Sequence, residues 1–189
     1  RQCGKTTLAR QVLAENSPLY FDLEDPVVAA AFENPMSSLA PLRGVVVIDE
    51  AQRCPQIFPV LRVLVDRKEN PAQFLILGSA SPELSRQASE SLAGRVEIIE
   101  MGGFHLGELA KEESHALWLR GGFPRSFLAG SEMDSMEWRK QFVRTFLERD
   151  LAQLGFHMSP QVMGRFWTMI SHYHGQIWNS SEIAASMGI

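Results

Sequence analysis

Short apolar runs alternate with helical patterns along the first half of the chain. The central run, 45–48, consists of four β-branched residues without polar alternation, which is typical of a strand buried on both faces of a parallel sheet. Apolar runs at 19–23 and 74–77 predict two further strands. Helical spacing predicts the helices between them, at residues 5–15, 27–32, 56–66 and 83–91. We therefore expect an α/β core with a three-layer parallel sheet, running to about residue 110.

The pattern changes after the third apolar run. Residues 95–101 alternate polar and apolar side chains, which predicts a more exposed edge strand. Beyond residue 110 the pattern is helical, with an amphipathic helix over 138–153. Further helices are predicted to start at Ser159 and, as a short capped helix, after Asn179.

A phosphate-binding loop is predicted at the start of the chain. Residues 1–7 match the second half of the P-loop (Walker A) pattern G-x-x-x-x-G-K-[ST]. Gly4 lets backbone N–H groups surround phosphate oxygens, Lys5 reaches the β- and γ-phosphates, and the Thr6 hydroxyl ligates magnesium. A Gly-Lys turn before an ordinary helix is the alternative. The residues expected to contact nucleotide are Arg1, Gln2, Cys3, Gly4, Lys5, Thr6 and Thr7.

Two acids follow the central apolar run. Asp49 and Glu50 stand at the carboxyl end of the predicted strand, where ligands bind in open α/β sheets. This is the Walker B arrangement, in which Asp49 holds magnesium through water and Glu50 orients and activates the attacking water. Solvated loop acids are the alternative, and the upstream Gly-Lys-Thr argues against it. Together the two motifs predict a nucleoside triphosphatase that uses Mg²⁺, and the family resemblance given below implies ATP as the nucleotide.

Two more residues are candidates for contact with the γ-phosphate. Ser79 follows the third apolar run and is the expected γ-phosphate sensor, with Ser81 as second choice; ordinary turn chemistry is the alternative. Arg95 opens the predicted edge strand, and its cation could stabilise charge on the γ-phosphate of its own or a neighbouring subunit. A surface ion pair at the sheet edge is the alternative for Arg95.

Composition and charge narrow the class of protein. A net charge of −4 over 189 residues gives no global electrostatic case for nucleic-acid binding. No apolar run approaches the length of about 18 residues that a membrane helix needs. We expect Cys3 and Cys54 to be reduced thiols of a cytoplasmic protein. The first P-loop glycine would lie two positions before Arg1, so we expect the chain to be a fragment.

Several segments, in this order, resemble one known family, the prokaryotic AAA-like P-loop ATPases with an uncharacterised C-terminal domain. These ATPases are related to signal-transduction ATPases. The segments that carry the resemblance are residues 2–7, 20–24, 47–52, 77–81, 91–95 and 119–124. The resemblance implies a sheet of order 5-1-4-3-2, a helical lid and a winged-helix-like segment. The expected domains are then the ATPase core, the lid and the start of the winged-helix-like segment, at residues 1–110, 111–158 and 159–189.

The resemblance also bears on the nucleobase and on partners. Residues 121–124 look like the Gly-x-Pro element of signal-transduction ATPases, so Phe123 and Pro124 are the expected base contacts; a plain Gly-Gly turn is the alternative. The expected function is ATP binding and hydrolysis in a nucleotide-driven switch or regulator. The alternative is a nucleotide-gated DNA-binding or protein-interaction module with little turnover. DNA, bound through a C-terminal part outside this chain, and an oligomer are the open partners, and no membrane is expected.

Overall fold

The computed structural model describes residues 2–13, 17–68, 72–79 and 82–188. They divide into two compact units between Leu128 and Ala129. The strands, all in the first unit, are β1 (Tyr20–Asp22), β2 (Val45–Asp49) and β3 (Gln73–Ile76). The helices of the first unit are α1 (Lys5–Val12), α2 (Pro26–Ala31), α3 (Pro35–Leu39), α4 (Ile57–Val65), α5 (Pro82–Ser91), α6 (Ser114–Arg120) and α7 (Pro124–Phe127). Residues 111–128, predicted as the start of the lid, thus belong to the first unit.

The strands form a parallel sheet of order β1-β2-β3. On one side of β2 the register places Tyr20 beside Val47 and Asp22 beside Asp49. On the other side it places Val45 beside Gln73. The predicted α/β class with a parallel sheet is confirmed, and residues 46–49 of β2 are buried as its apolar sequence indicated.

The side chains of β2 alternate between two covered faces of the sheet. Val46 and Ile48 pack into the main core, whose other large members are Leu23, Phe32, Leu39, Ile57, Phe58, Leu61, Leu64 and Leu92. Val47 points the other way and packs with Ala9 of α1 and with Leu77. Since Asp49 lies two residues beyond Val47, it projects from the same face as Val47, towards α1.

Residues 95–101 form no strand, which corrects the predicted edge strand. Val96 packs against the main core, but Ile98 and Ile99 are 61% and 78% exposed. A strand requires a neighbour that completes its ladder of hydrogen bonds. Among the described residues, the strands β1, β2 and β3 pair only with one another, and none of them supplies this ladder. The observed order corresponds to the 4-3-2 part, and the full order stays a prediction.

The second unit contains the helices α8 (Glu132–Thr145), α9 (Leu151–Gln153), α10 (Pro160–His172) and α11 (Ser180–Met187). The side chains of Ser159 and Asn179 accept hydrogen bonds from the first turns of α10 and α11, as their sequences predict. Among the described residues, no helix combines the length and the apolar character needed to cross a bilayer.

An aromatic column runs along α8 in the second unit. The ring centroids of Trp138 and Phe142 are 5.2 Å apart, and those of Phe142 and Phe146 are 6.3 Å apart. Residues 146–150 then form a π-helical turn. At that turn Phe146 meets Trp167 of α10 edge-on, with centroids 5.5 Å apart. The column therefore holds α8 and α10 together.

In the first unit, two backbone segments cross in direct contact at Gly103 and Gly122. Phe104 N donates a hydrogen bond to Gly122 O at 2.7 Å. A Cβ atom added at Gly103 would overlap Gly122 O, and one added at Gly122 would overlap Phe104 O. The crossing therefore needs glycine on both segments. It fixes the backbone immediately before Phe123 and Pro124.

Alanine at Gly103 is expected to lower the free energy of unfolding by about 1–3 kcal/mol, because its methyl group must displace the Gly122 backbone. Gly102→Ala is the matched control, since a Cβ atom there meets nothing within 4 Å. Urea titrations followed by circular dichroism measure both variants. Equal stability of the two would show that the crossing accepts a side chain.

Candidate active site

The N-terminus of α1 and the carboxyl ends of β1 and β2 come together at one edge of the sheet. Gly4 is the N-cap of α1 and has φ 93°, a left-handed conformation that glycine adopts without steric cost. The N–H groups of the first turn of α1 have no acceptor within the helix. Such a terminus attracts anions, as the P-loop pattern predicts for this position.

The Asp49 carboxylate is buried at this edge, with 4% of its residue surface exposed. Its Oδ2 accepts hydrogen bonds from Thr6 Oγ1 at 2.8 Å and from Tyr20 Oη at 2.5 Å. Its Oδ1 accepts a hydrogen bond from Glu50 N at 2.9 Å. The structure thus brings together Thr6 and Asp49, the two predicted magnesium ligands.

Tyr20 is a part of the site that the sequence did not reveal. It lies on β1, and parallel pairing with β2 places its hydroxyl against Asp49. Burial, followed by the hydrogen bond to Asp49 and the charge of that residue, raises the pKa of Tyr20 to about 12. The guanidinium of Arg10 lies 5.3 Å from the ring centroid and acts in the opposite direction. Tyr20 therefore stays a proton donor to Asp49 at neutral pH.

Glu50 follows Asp49 and turns the chain away from β2. Its φ of 55° and ψ of 42° place it in the left-handed region, which is uncommon for a residue other than glycine. Gln52 Nε2 donates a hydrogen bond to Glu50 Oε2. The predicted catalytic carboxylate therefore lies next to Asp49, the predicted magnesium ligand, and has a side-chain partner of its own.

The other predicted phosphate contacts belong to the loop before α1 and to the first turn of α1. Lys5 Nζ lies 3.8 Å from Cys3 Sγ, and Cys3 is buried. Gln2 and Thr7 are exposed. The predicted contact Arg1 and the second-choice sensor Ser81 lie outside the described residues. Both cysteines, Cys3 and Cys54, are free thiols.

The predicted base contacts lie near the P-loop. A Cβ atom added at Gly4 would be 3.8 Å from Pro124 Cγ and 3.9 Å from Met101 Cε. Phe123 is the N-cap residue of α7, directly before Pro124. Met101 had no signal in the sequence, because its segment has the alternating pattern of an edge strand. The structure groups Pro124 and Met101 with the phosphate loop.

The structure does not group Arg95 with these residues. Its Nε and Nη2 donate to the two carboxylate oxygens of Asp66 at 2.7 and 2.9 Å. Asp66 follows α4, which runs from the carboxyl edge of the sheet back to its amino edge. Arg95 therefore lies at the edge opposite the P-loop, in the surface ion pair that was the alternative. Ser79 lies beyond the end of β3, at the carboxyl edge.

Comparison with known families agrees with this geometry. Residues 1–110, more than half of the 189-residue chain, match the family described as AAA domain. The chain belongs to the AAA domain family. Residues 111–189 match a second family, a domain of unknown function designated DUF8612. The AAA domain is thus a nucleotide-binding domain of the ATPase type, followed by an uncharacterised one.

Two curated relatives cover the AAA domain and the segment after it. They are uncharacterized protein Mb2031c of Mycobacterium bovis and uncharacterized protein Rv2008c of Mycobacterium tuberculosis. Each is 53% identical over all 189 residues, and the chain spans 43% of the length of each. No solved structure matches the chain.

The side chains of the AAA domain fit a magnesium–nucleotide complex. Among the described residues, no group of three or more His, Cys, Asp or Glu side chains could hold a metal ion by itself. Magnesium rarely needs such a cage, because it binds one or two protein oxygens together with waters and substrate phosphates. The Thr6 hydroxyl and the Asp49 carboxylate, 2.8 Å apart at a helix N-terminus, are oxygen donors of this kind.

Tyr20→Phe is expected to lower the free energy of unfolding by about 1–2 kcal/mol near pH 7, because Asp49 loses one of its donors. The stabilisation by Tyr20 should be complete below pH 10, its usual pKa. It should fall as the pH rises towards 12, since the unfolded chain releases the Tyr20 proton first. Urea titrations of both proteins from pH 7 to high pH measure this difference. A difference that stays constant throughout would contradict the assignment.

Proposed function

We propose that the AAA domain binds ATP with magnesium and hydrolyses it, as a nucleotide-driven switch or regulator related to signal-transduction ATPases. The observation that carries the proposal is the pairing of Thr6 Oγ1 with Asp49 Oδ2, at 2.8 Å, beside the N-terminus of α1. A helix N-terminus attracts phosphate, and the two oxygens beside it suit magnesium. Glu50, the candidate base, follows Asp49 directly.

Phosphate binding is assigned to the loop and the first turn of α1. The left-handed Gly4 lets the backbone N–H groups of residues 2–7 turn towards the phosphates. Lys5 supplies a positive charge to the β- and γ-phosphates. Thr6 and Asp49 would hold magnesium, which neutralises phosphate charge when bound.

Hydrolysis is assigned to Glu50. Its carboxylate orients a water molecule and accepts a proton as the water oxygen attacks the γ-phosphorus in line. The bond from the γ-phosphorus to the bridging oxygen breaks, which gives ADP and phosphate. Ser79, at the end of the neighbouring strand, contacts the γ-phosphate in this proposal. Arg95 has no part in hydrolysis at the P-loop of its own chain in this proposal, because Asp66 holds its guanidinium at the opposite edge of the sheet.

Recognition of the base is assigned to Phe123 and Pro124. Pro124 and Met101 approach Gly4, so a nucleotide on the P-loop would meet both. The crossing at Gly122 fixes the backbone that leads into them. In this proposal the contact connects the bound nucleotide to α7, the element through which a switch would respond to the nucleotide.

Lys5→Ala is expected to weaken ATP binding by roughly 10- to 100-fold, because a charge-assisted contact to phosphate is lost. Titration calorimetry with ATP and magnesium on the full-length protein measures the affinity. Lys111→Ala is the matched control, since Lys111 is exposed in a turn after the P-loop core. Equal affinities for both variants would refute the phosphate role of Lys5.

Glu50→Gln is expected to keep ATP binding and to lower the rate of hydrolysis by about 10²–10⁴-fold, because glutamine cannot accept the proton of the water. Phosphate release by full-length protein measures turnover, with exposed Glu33→Gln as control. Normal turnover in Glu50→Gln would sink the assignment of the base. ATP binding without turnover in the wild type would favour the alternative, a nucleotide-gated DNA-binding or protein-interaction module.

A further inference from the structure

Gln52 lies in a turn that is tied to two strands. It belongs to the 3₁₀ turn Ala51–Arg53, directly after Glu50. Ala51 N donates a hydrogen bond to Leu77 O at 3.0 Å, just beyond the end of β3. Leu77 N in turn donates to Ile48 O of β2 at 2.8 Å. The backbone that carries Gln52 is therefore fixed between the acidic end of β2 and the end of β3.

The amide of Gln52 faces the Glu50 carboxylate. Its Nε2 donates a hydrogen bond to Glu50 Oε2. The opposite orientation would set the amide oxygen against a carboxylate oxygen, which is repulsive. Gln52 Oε1 is buried and has no hydrogen-bond partner among the described residues. A buried acceptor without a partner is costly, so the contact with Glu50 decides the orientation of this amide.

Gly78 leaves the space that this amide occupies. A Cβ atom added at Gly78 would lie 2.8 Å from Gln52 Oε1 and 2.5 Å from Leu84 Cδ2. Either distance is too short for a real Cβ contact, so any side chain at this position must displace Gln52 or Leu84. Gly78 directly precedes Ser79, the candidate γ-phosphate sensor.

We propose that Gln52 is the positioning residue for Glu50, and that Gly78 keeps room for its amide. The hydrogen bond holds Oε2 of the carboxylate, which fixes the carboxylate plane and leaves Oε1 to receive the proton of the water. The effect on turnover rests on the proposed ATPase function. The hydrogen bond itself does not depend on that function.

The first test separates kcat from KM. Gln52→Leu keeps the size of the side chain and removes the donor, so kcat for ATP hydrolysis should fall by about tenfold with KM unchanged. In a Glu50→Ala background the same change should have no further effect, because Gln52 acts through Glu50. Gln56→Leu, at an exposed position on the same connection, is the control. An unchanged kcat in Gln52→Leu, or an equal loss in the Glu50→Ala background, would overturn the proposal.

A second test needs no turnover. The free energies of unfolding of wild type, Gln52→Ala, Glu50→Ala and the double variant form a double-mutant cycle. We expect the double variant to lose less stability than the two single variants together, because each removes the same hydrogen bond. Additive losses would refute the contact. A wild type that does not hydrolyse ATP would refute the proposed function, and this cycle would still decide the role of Gln52.

Gly78→Ala offers an independent variant. Its methyl group should displace the Gln52 amide and reproduce the kcat loss of Gln52→Leu. Gly102→Ala, whose Cβ atom meets nothing within 4 Å, is the control. A folded Gly78→Ala protein with wild-type kcat would contradict the role of Gly78. If the clash with Leu84 prevents folding, the Gln52→Leu result decides the proposal.

Discussion

The carboxylate of Asp49 is buried where α1, β1 and β2 meet. A buried carboxylate without donors would cost several kcal/mol, so the surrounding elements must supply hydrogen bonds. One comes from Thr6 on α1, one from Tyr20 on β1 and one from the backbone of Glu50. Hydrogen bonds to the Asp49 carboxylate therefore tie together α1, β1 and the turn that begins at Glu50. The same carboxylate is the one that magnesium would use.

What could be predicted from the sequence was local. Two motifs could be identified because each lies within a few consecutive residues: Gly4, Lys5 and Thr6, and the Asp49–Glu50 pair after an apolar run. The structure brings Thr6 to Asp49. Tyr20 could not be found in this way. Its contact depends on the register between two strands that are 29 residues apart at Tyr20 and Asp49, and no local pattern encodes that register.

Three other features depend on contacts that a local sequence pattern does not encode. The alternation over 95–101 predicts a strand, but the structure forms none there and leaves both Ile98 and Ile99 exposed, because a strand also needs a neighbour to complete its ladder of hydrogen bonds. The partner of Arg95 is Asp66, which is 29 residues away in the sequence and lies at the end of α4. The sequence assigned no role of its own to Gln52, because the contact of its amide with Glu50 and the space left by Gly78, beyond the end of β3, appear only in the folded chain.

The aromatic column of the second unit has an optical consequence. Of the tryptophans, Trp138 and Trp167 belong to that column and Trp178 lies in the same unit, whereas Trp118 of the first unit is 80% exposed. Residues 1–117, which include the predicted P-loop, Asp49 and Glu50, contain no tryptophan. The tryptophan fluorescence of residues 1–189 is thus emitted mainly by the second unit. Tryptophan emission measured during unfolding would therefore report the melting of the second unit and not the unfolding of the edge that carries the predicted P-loop.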